Sequence, residues 1–138
     1  MTIIIALIAF GVMIGIHEAG HLVAAKLSGV LVHEFAIGMG PKLFSWQGKE
    51  TAYSLRLLPI GGFCNLEGEN GGSEHERAFC NAKKWQKIII LAAGAVMNLL
   101  LGFVLLVFFY AGQPAIADPV AAGIIPNTYA EQIGLQEG

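Results

Sequence analysis

Hydrophobic and polar positions divide the 138-residue chain into blocks. Residues 2–25 read TIIIALIAFGVMIGIHEAGHLVAA, with no ionisable residue before His17. Residues 88–110 read IIILAAGAVMNLLLGFVLLVFFY and carry no charge at all. A helix needs ~20 apolar residues to cross a bilayer, so both blocks predict transmembrane helices. The second could instead be the core helix of a large soluble protein, but so short a chain has little with which to enclose it. The first is no cleaved signal peptide by pattern, since it lacks a basic start and is too long for the apolar region of one.

Between these blocks the period changes. VLVHEFAIG, KLFSWQ, TAYSLRLL and FCNLEG read as strands, separated by the turns GMGP, GKE and PIGG. In TAYSLRLL, Tyr53, Leu55 and Leu57 alternate with Ser54 and Arg56, the period of a half-buried strand. A small antiparallel hairpin or meander follows. ENGGSEHERAF is polar and glycine-containing, hence a loop. After Tyr110 the chain turns polar and proline-containing, and it stops at what reads as the start of another domain.

Composition sharpens this picture. Hydrophobic residues make up 55% and charged residues 13%, against roughly 25% charged in an ordinary soluble domain. Mean hydropathy is +0.64. The net charge of −2 names no partner, and no basic tract suggests nucleic acid. All eight Lys and Arg fall between Lys26 and Lys87. The positive-inside rule then places the linker in the cytoplasm and both termini outside. Trp85, with Lys83, Lys84 and Lys87, suits an anchor at the membrane interface. Cys64 and Cys80 lie in this linker; in a reducing compartment they are expected to be free thiols, and their spacing makes a poor zinc motif.

Against this background, HEAGH at residues 17–21 stands out. His17 and His21 are four apart, so a helix puts both imidazoles on one face, where they can reach a single metal ion. Zn²⁺ is the usual occupant of H-E-x-x-H. Glu18, beside the first ligand, can take a proton from a water that the metal activates and return it to the leaving nitrogen of a peptide. Ionisable groups inside a span cost at least ~2.5 kcal/mol each on insertion scales, so three together imply use. A helix interface held by polar contacts is the alternative. His17 lies nine residues before Lys26, ~13 Å along the axis at the helical rise. The centre is therefore expected within the membrane, nearer the cytoplasmic side.

Other residues are candidates for substrate contact. A strand edge at Tyr53, Ser54, Leu55 and Arg56, with the turn at Gly61 and Gly62, could hold a substrate extended by strand addition. A cytoplasmic hairpin that packs for stability alone fits the same pattern. Gly94, Asn98 and Gly102 share one small, polar face of the second span, and Asn98 either faces the site or fastens helices. Gly11 and Gly15 form a G-x-x-x-G packing signal. His33 and His75 are expected to be solvated.

These motifs, in this order, resemble the N-terminal part of a site-2-protease-type intramembrane zinc metalloprotease (peptidase family M50). The bacterial branch that includes the regulators of sigma-E protease is most similar. HEAGH matches H-E-x-G-H. GMGPKLF resembles F-x-x-G-x-G-P-x-L, LPIGGFCNLEGE resembles L-P-L-G-G-Y-V-x-M-x-G-E, and AGAVMN resembles A-G-P-x-x-N. Ala95 stands where Pro is usual, and Cys64 and Asn65 where Val and Lys are usual. The resemblance implies a multi-pass protein of the bacterial inner membrane with Zn²⁺ as cofactor. It implies single-span membrane substrates, such as anti-sigma-factor-like proteins or remnant signal peptides, and a hairpin that re-enters the membrane. It gives a mainly α membrane fold: helix 1–26 with the motif, a β-loop region 27–87, helix 88–110, and the incomplete start of a PDZ-like domain at 111–138. The third ligand of such enzymes is an Asp in an L-D-G motif on a later helix. Nothing here matches it, since Asp118 is the only Asp and lies beyond the second span. The chain thus reads as a piece of a protease, inactive alone. A catalytically dead scaffold of the same fold is the alternative, against which the intact Glu18 speaks. A metal transporter would need ionisable residues in the second span, which has none.

Overall fold

The computed structural model describes residues 1–112 and 129–132. The elements are α1 (Thr2–Leu27), β1 (Val32–Gln47), β2 (Ala52–Leu66), a 3-10 turn at Phe79–Asn81, α2 (Lys84–Ala111) and α3 (Tyr129–Gln132). The chain divides into two units, Met1–Val104 and Leu105–Gly138. Of the second, the described residues are the last turns of α2 and the short α3. The predicted PDZ-like segment otherwise lies outside the described residues.

Both long helices are long and apolar enough to cross a membrane. No proline interrupts either one. After α1 the chain turns at Gly29, whose positive φ of 77° suits glycine. The N–H of Gly29 bonds to the carbonyl of Lys26, and that of Val30 to Ala25. α2 begins at Lys84 rather than Ile88 because its first turn is capped locally. The Gln86 side-chain carbonyl accepts the Lys83 N–H at 2.9 Å, and its amide donates to the Ser28 carbonyl at 3.0 Å.

A small core lies where the ends of all four main elements meet. Ala24 and Ala25 of α1, Val30, Val32 of β1, Cys64 and Leu66 of β2, and Ile90 of α2 are buried together. Elsewhere large apolar side chains point outward, from Ile3 at 77% exposed to Phe108 at 73%. In water so large an apolar surface would be untenable; hydrocarbon is the solvent that suits it.

The sheet has two strands, paired antiparallel, and it departs from the predicted meander. The predicted turns GMGP and PIGG are bends inside two long strands. Gly38, Gly40 and Gly61 take positive φ of 85–86° there. Because both strands fold over, residues 34–37 have partners on two sides: 52–55 on one, and 62–65 on the other. Residues 52–55 also pair with 44–47. The stretch Tyr53 to Leu55 is therefore interior, and the outer edges are residues 44–47 and 62–66.

The alternation in this stretch is real but inverted. Ser54 is 7% exposed, whereas Leu55 and Leu57 are 48% and 54% exposed. The inward polar side chains meet at Glu34. Its Oε1 accepts from Ser54 Oγ at 2.7 Å, Lys42 Nζ at 2.9 Å and Arg56 Nη2 at 3.0 Å. Arg56 also donates to the Gly40 carbonyl at 3.0 Å and lies over the Phe63 ring. A second tie fastens the hairpin turn: Arg77 clamps both Glu50 oxygens and donates to the Gly29 carbonyl at 2.9 Å. His33 is not merely solvated, since it pairs with Glu67, and His75 Nδ1 accepts the Arg77 N–H at 3.0 Å.

The G-x-x-x-G of α1 also serves another partner than expected. A Cβ on Gly11 would lie 2.5 Å from the Pro59 carbonyl oxygen, and one on Gly15 would touch Ile37. These glycines admit the hairpin rather than a helix.

Glu34 lies outside the two candidate spans. Burial alone would raise its carboxyl, but hydrogen bonds from Lys42, Ser54 and Arg56 together hold it at about 2, from an ordinary 4.5. The stabilisation is therefore complete above pH ~4.5 and lost as pH falls through about 2. Protection of the strand amides against hydrogen exchange in micelles, relative to their intrinsic rates, should fall over that window. Glu34→Gln should remove Glu34's share of this pH dependence, leaving that of Glu50 and Glu67, and destabilise the hairpin at pH 7 by ~1–3 kcal/mol, because Arg56 and Lys42 lose their counter-charge.

Candidate metal centre

The centre forms where α1 crosses α2. Gly20 and Gly94 sit at the crossing, both buried. A Cβ on Gly20 would fall 2.5 Å from the Ala93 carbonyl oxygen and 2.8 Å from Met97. A Cβ on Gly94 would fall 2.6 Å from Nε2 of both His17 and His21. Real Cβ atoms do not approach so closely, so both positions require glycine. Small residues let helix backbones come together in this way, and here they also make room for two imidazoles.

The helical spacing stacks those rings, with centroids 4.9 Å apart and planes at 76°. The two Nε2 atoms face each other at 3.2 Å. Two nitrogens bound to one tetrahedral zinc at ~2.0–2.1 Å stand ~3.3–3.4 Å apart, so the pair fits one edge of such a site. His21 Nδ1 lies 2.7 Å from the Ile90 carbonyl oxygen. A carbonyl only accepts, so Nδ1 carries the proton and Nε2 presents its lone pair. His17 Nδ1 lies 3.3 Å from Asn98 Nδ2.

Glu18 turns into an adjoining cleft of about 710 Å³. With His21 it forms the inner wall, together with residues 62–66, Phe79, Ile90 and Leu91. Glu69 and Asn70, both exposed, lie in the same lining and link the site to a polar surface loop. Gly62 brings the hairpin backbone against the base: its Cβ would fall 3.2 Å from Glu18 Cγ and 2.9 Å from the Ala36 carbonyl oxygen.

The sequence candidates thus separate into two groups. His17, Glu18 and His21 come together, Asn98 stands beside His17, and Gly62 beside Glu18. Gly61 packs on Met39. Tyr53 stacks on Trp46 at 5.2 Å, Ser54 and Arg56 serve Glu34, and Leu55 points outward. None of these four lines the cleft, and Tyr53 to Leu55 are interior to the sheet rather than at the expected edge. The Ile90 carbonyl and the edge at residues 62–66 were not foreseen, because backbone groups leave no mark in composition. Gly102 has nothing within 4 Å, so the predicted small face is used only at Gly94 and Asn98.

Among the described residues no group of three or more His, Cys, Asp and Glu could hold a metal. Cys64 lines the cleft, but burial first, with help from the Glu18 and Glu69 charges, pushes its thiol up to about 12.

The sequence pattern of peptidase family M50 matches residues 5–134. The chain belongs to this family. Among similar proteins, a candidate zinc metalloprotease of Clostridium acetobutylicum is 49% identical over 138 residues, covering 99% of this chain and 40% of that protein. One from Clostridium perfringens is 43% identical over 138 residues, covering 100% and 41%. The zinc metalloprotease RasP of Bacillus licheniformis is 29% identical over 219 residues, covering 99% and 52%. The chain thus spans about two fifths to one half of these M50 relatives.

The crossing gives a paired test. Gly94→Ala drives a methyl into both imidazoles and should remove bound zinc from the full-length protein, measured by elemental analysis after gel filtration. Gly102→Ala, in open space one helical face-repeat further on, should leave it unchanged. Equal retention in both would show that the crossing does not shape the centre.

Proposed function

We propose that this chain is the N-terminal portion of an intramembrane zinc metalloendopeptidase that cuts peptide bonds in or next to transmembrane segments. One observation carries the reading: two imidazole Nε2 atoms converge at 3.2 Å, beside a carboxylate, on a helix fit to cross a membrane. The zinc names of the relatives agree with it.

His17 and His21 would hold the ion. Catalytic zinc takes three protein ligands and one open position, so the third ligand belongs to a segment outside these residues. When bound, zinc supplies a Lewis acid that makes water a nucleophile near neutral pH. Glu18 would serve as the base, holding the proton given up by the attacking water and passing it to the leaving nitrogen. The cleft runs out past Asn65, Glu69 and Asn70, polar side chains along which water would reach Glu18.

A peptide bond in a helix is shielded by its own hydrogen bonds, so the substrate must be drawn out. The edge at residues 62–66 lines the cleft with Glu18 and His21, and strand addition there would hold an extended segment across the base. The outward apolar, inward polar hairpin supports a re-entrant position beside α1, because non-helical backbone at that depth must be shielded by protein. Single-span membrane proteins at a bacterial inner membrane are the substrates that suit this arrangement, with residues 27–87 reached from the cytoplasm.

Two experiments bear on this. In the detergent-solubilised full-length protein, Glu18→Gln should retain zinc and lower cleavage of a single-span substrate by ~10²–10⁴-fold. Cleavage that survives the substitution would sink the assignment of the base, and zinc without cleavage even in wild type would favour the inactive scaffold. For the edge, Cys64 and Cys80 are first replaced by Val and Ala. A cysteine at Asn65 should then form a disulfide with one placed near the scissile bond, whereas one at Tyr53 should not. The reverse pattern would move the substrate to the first half of β2, at residues 52–55.

A further inference from the structure

Asn98 lies on α2 eight residues beyond Ile90, and its amide meets the second ligand as the Ile90 carbonyl meets the first. His21 is already in the form that a metal requires, with Nδ1–H directed at a carbonyl oxygen 2.7 Å away. His17 Nδ1 lies 3.3 Å from the side-chain amide of Asn98, and its Nε2 lies 3.2 Å from His21 Nε2. An ion between the two Nε2 atoms requires the His17 ring proton on Nδ1, and of the two ends of the amide only Oδ1 can accept it. Oδ1 is buried and has no other partner.

We propose that Asn98 is a positioning residue for the metal ligand His17: its Oδ1 accepts His17 Nδ1–H, so that Nε2 presents its lone pair. This orientation gives the buried Oδ1 the partner it otherwise lacks and keeps the ring proton out of the space between the two histidines. A metal-bound imidazole is the better donor, which strengthens the same hydrogen bond. Both ligands then have one tautomer, fixed by two carbonyl oxygens of the same helix. A donor-only residue at position 98 could not do this, and neither could an apolar one.

The inference rests on the metal-centre reading, and its test separates the two. Zinc affinity is measured by competition with a chromophoric chelator in the full-length protein, for wild type, Asn98→Asp and Asn98→Leu. Thermal unfolding of the metal-free forms is measured beside it. Aspartate can accept but not donate, so Asn98→Asp should bind zinc about as tightly as wild type. Asn98→Leu should bind ~10–100-fold more weakly, with metal-free unfolding little changed; Asn98→Ala replaces it should the leucine variant fail to accumulate. Equal weakening in the Asp and Leu variants would overturn the proposal, because the donor would then be what matters. Wild-type affinity in the Leu variant would overturn it too, as would an affinity loss matched by a loss of metal-free stability. A wild type that binds no zinc would remove the metal centre itself, and this role with it.

Discussion

The close approach of α1 and α2 at Gly20 and Gly94 is the constraint on which the centre depends. Two helices in lipid gain little from hiding apolar surface from each other, since the surrounding chains are equally apolar. What they gain is van der Waals contact and polar partners, and both need the backbones near. Gly20 and Gly94 provide that nearness, leaving no room for a methyl at either place. The same proximity puts the Ile90 carbonyl and the Asn98 amide within reach of the two imidazoles. A wider crossing would leave both rings without partners in a medium that offers none.

The hairpin follows a related rule. Its inward face gathers Glu34, Lys42, Ser54 and Arg56, and its outward face is Leu55, Leu57 and their neighbours. A soluble sheet places these the other way. Three donors meet one carboxylate oxygen, with Lys42 reaching in from an exposed position, so the polar side chains of the ribbon are held to one another while its apolar ones face outward. Glycines at 11, 15 and 62 then let the ribbon lie directly against α1, which is how Gly62, 44 residues downstream, comes to flank Glu18.

Much of this was legible in the sequence, and the limits have physical causes. The helices and the histidine pair were readable because length, hydropathy and an i, i+4 spacing are local properties. The strands were readable for the same reason. Their pairing was not, because register depends on where each ribbon bends, and the bends at Gly38, Gly40 and Gly61 looked like turns. Those bends give Tyr53 to Leu55 partners on both sides, where the sequence pattern suggested an edge. Alternation gives a period but no sign; the surrounding solvent decides which face turns inward. G-x-x-x-G likewise announces a close approach without naming the partner, and at Gly11 and Gly15 the partner is a strand.

The sequence separation within the centre has a consequence for how the protein is made. His21 waits for a residue 69 positions later, and His17 for one 81 positions later. At a synthesis rate of ~5–20 residues per second, the interval is roughly 3–16 s. During it α1 carries two imidazoles and a carboxylate with no α2 beside them. An insertion machinery that released α1 into lipid at once would strand those groups. Retention of the first helix at the insertion site, until the second emerges, is what a split centre of this kind demands of the cell.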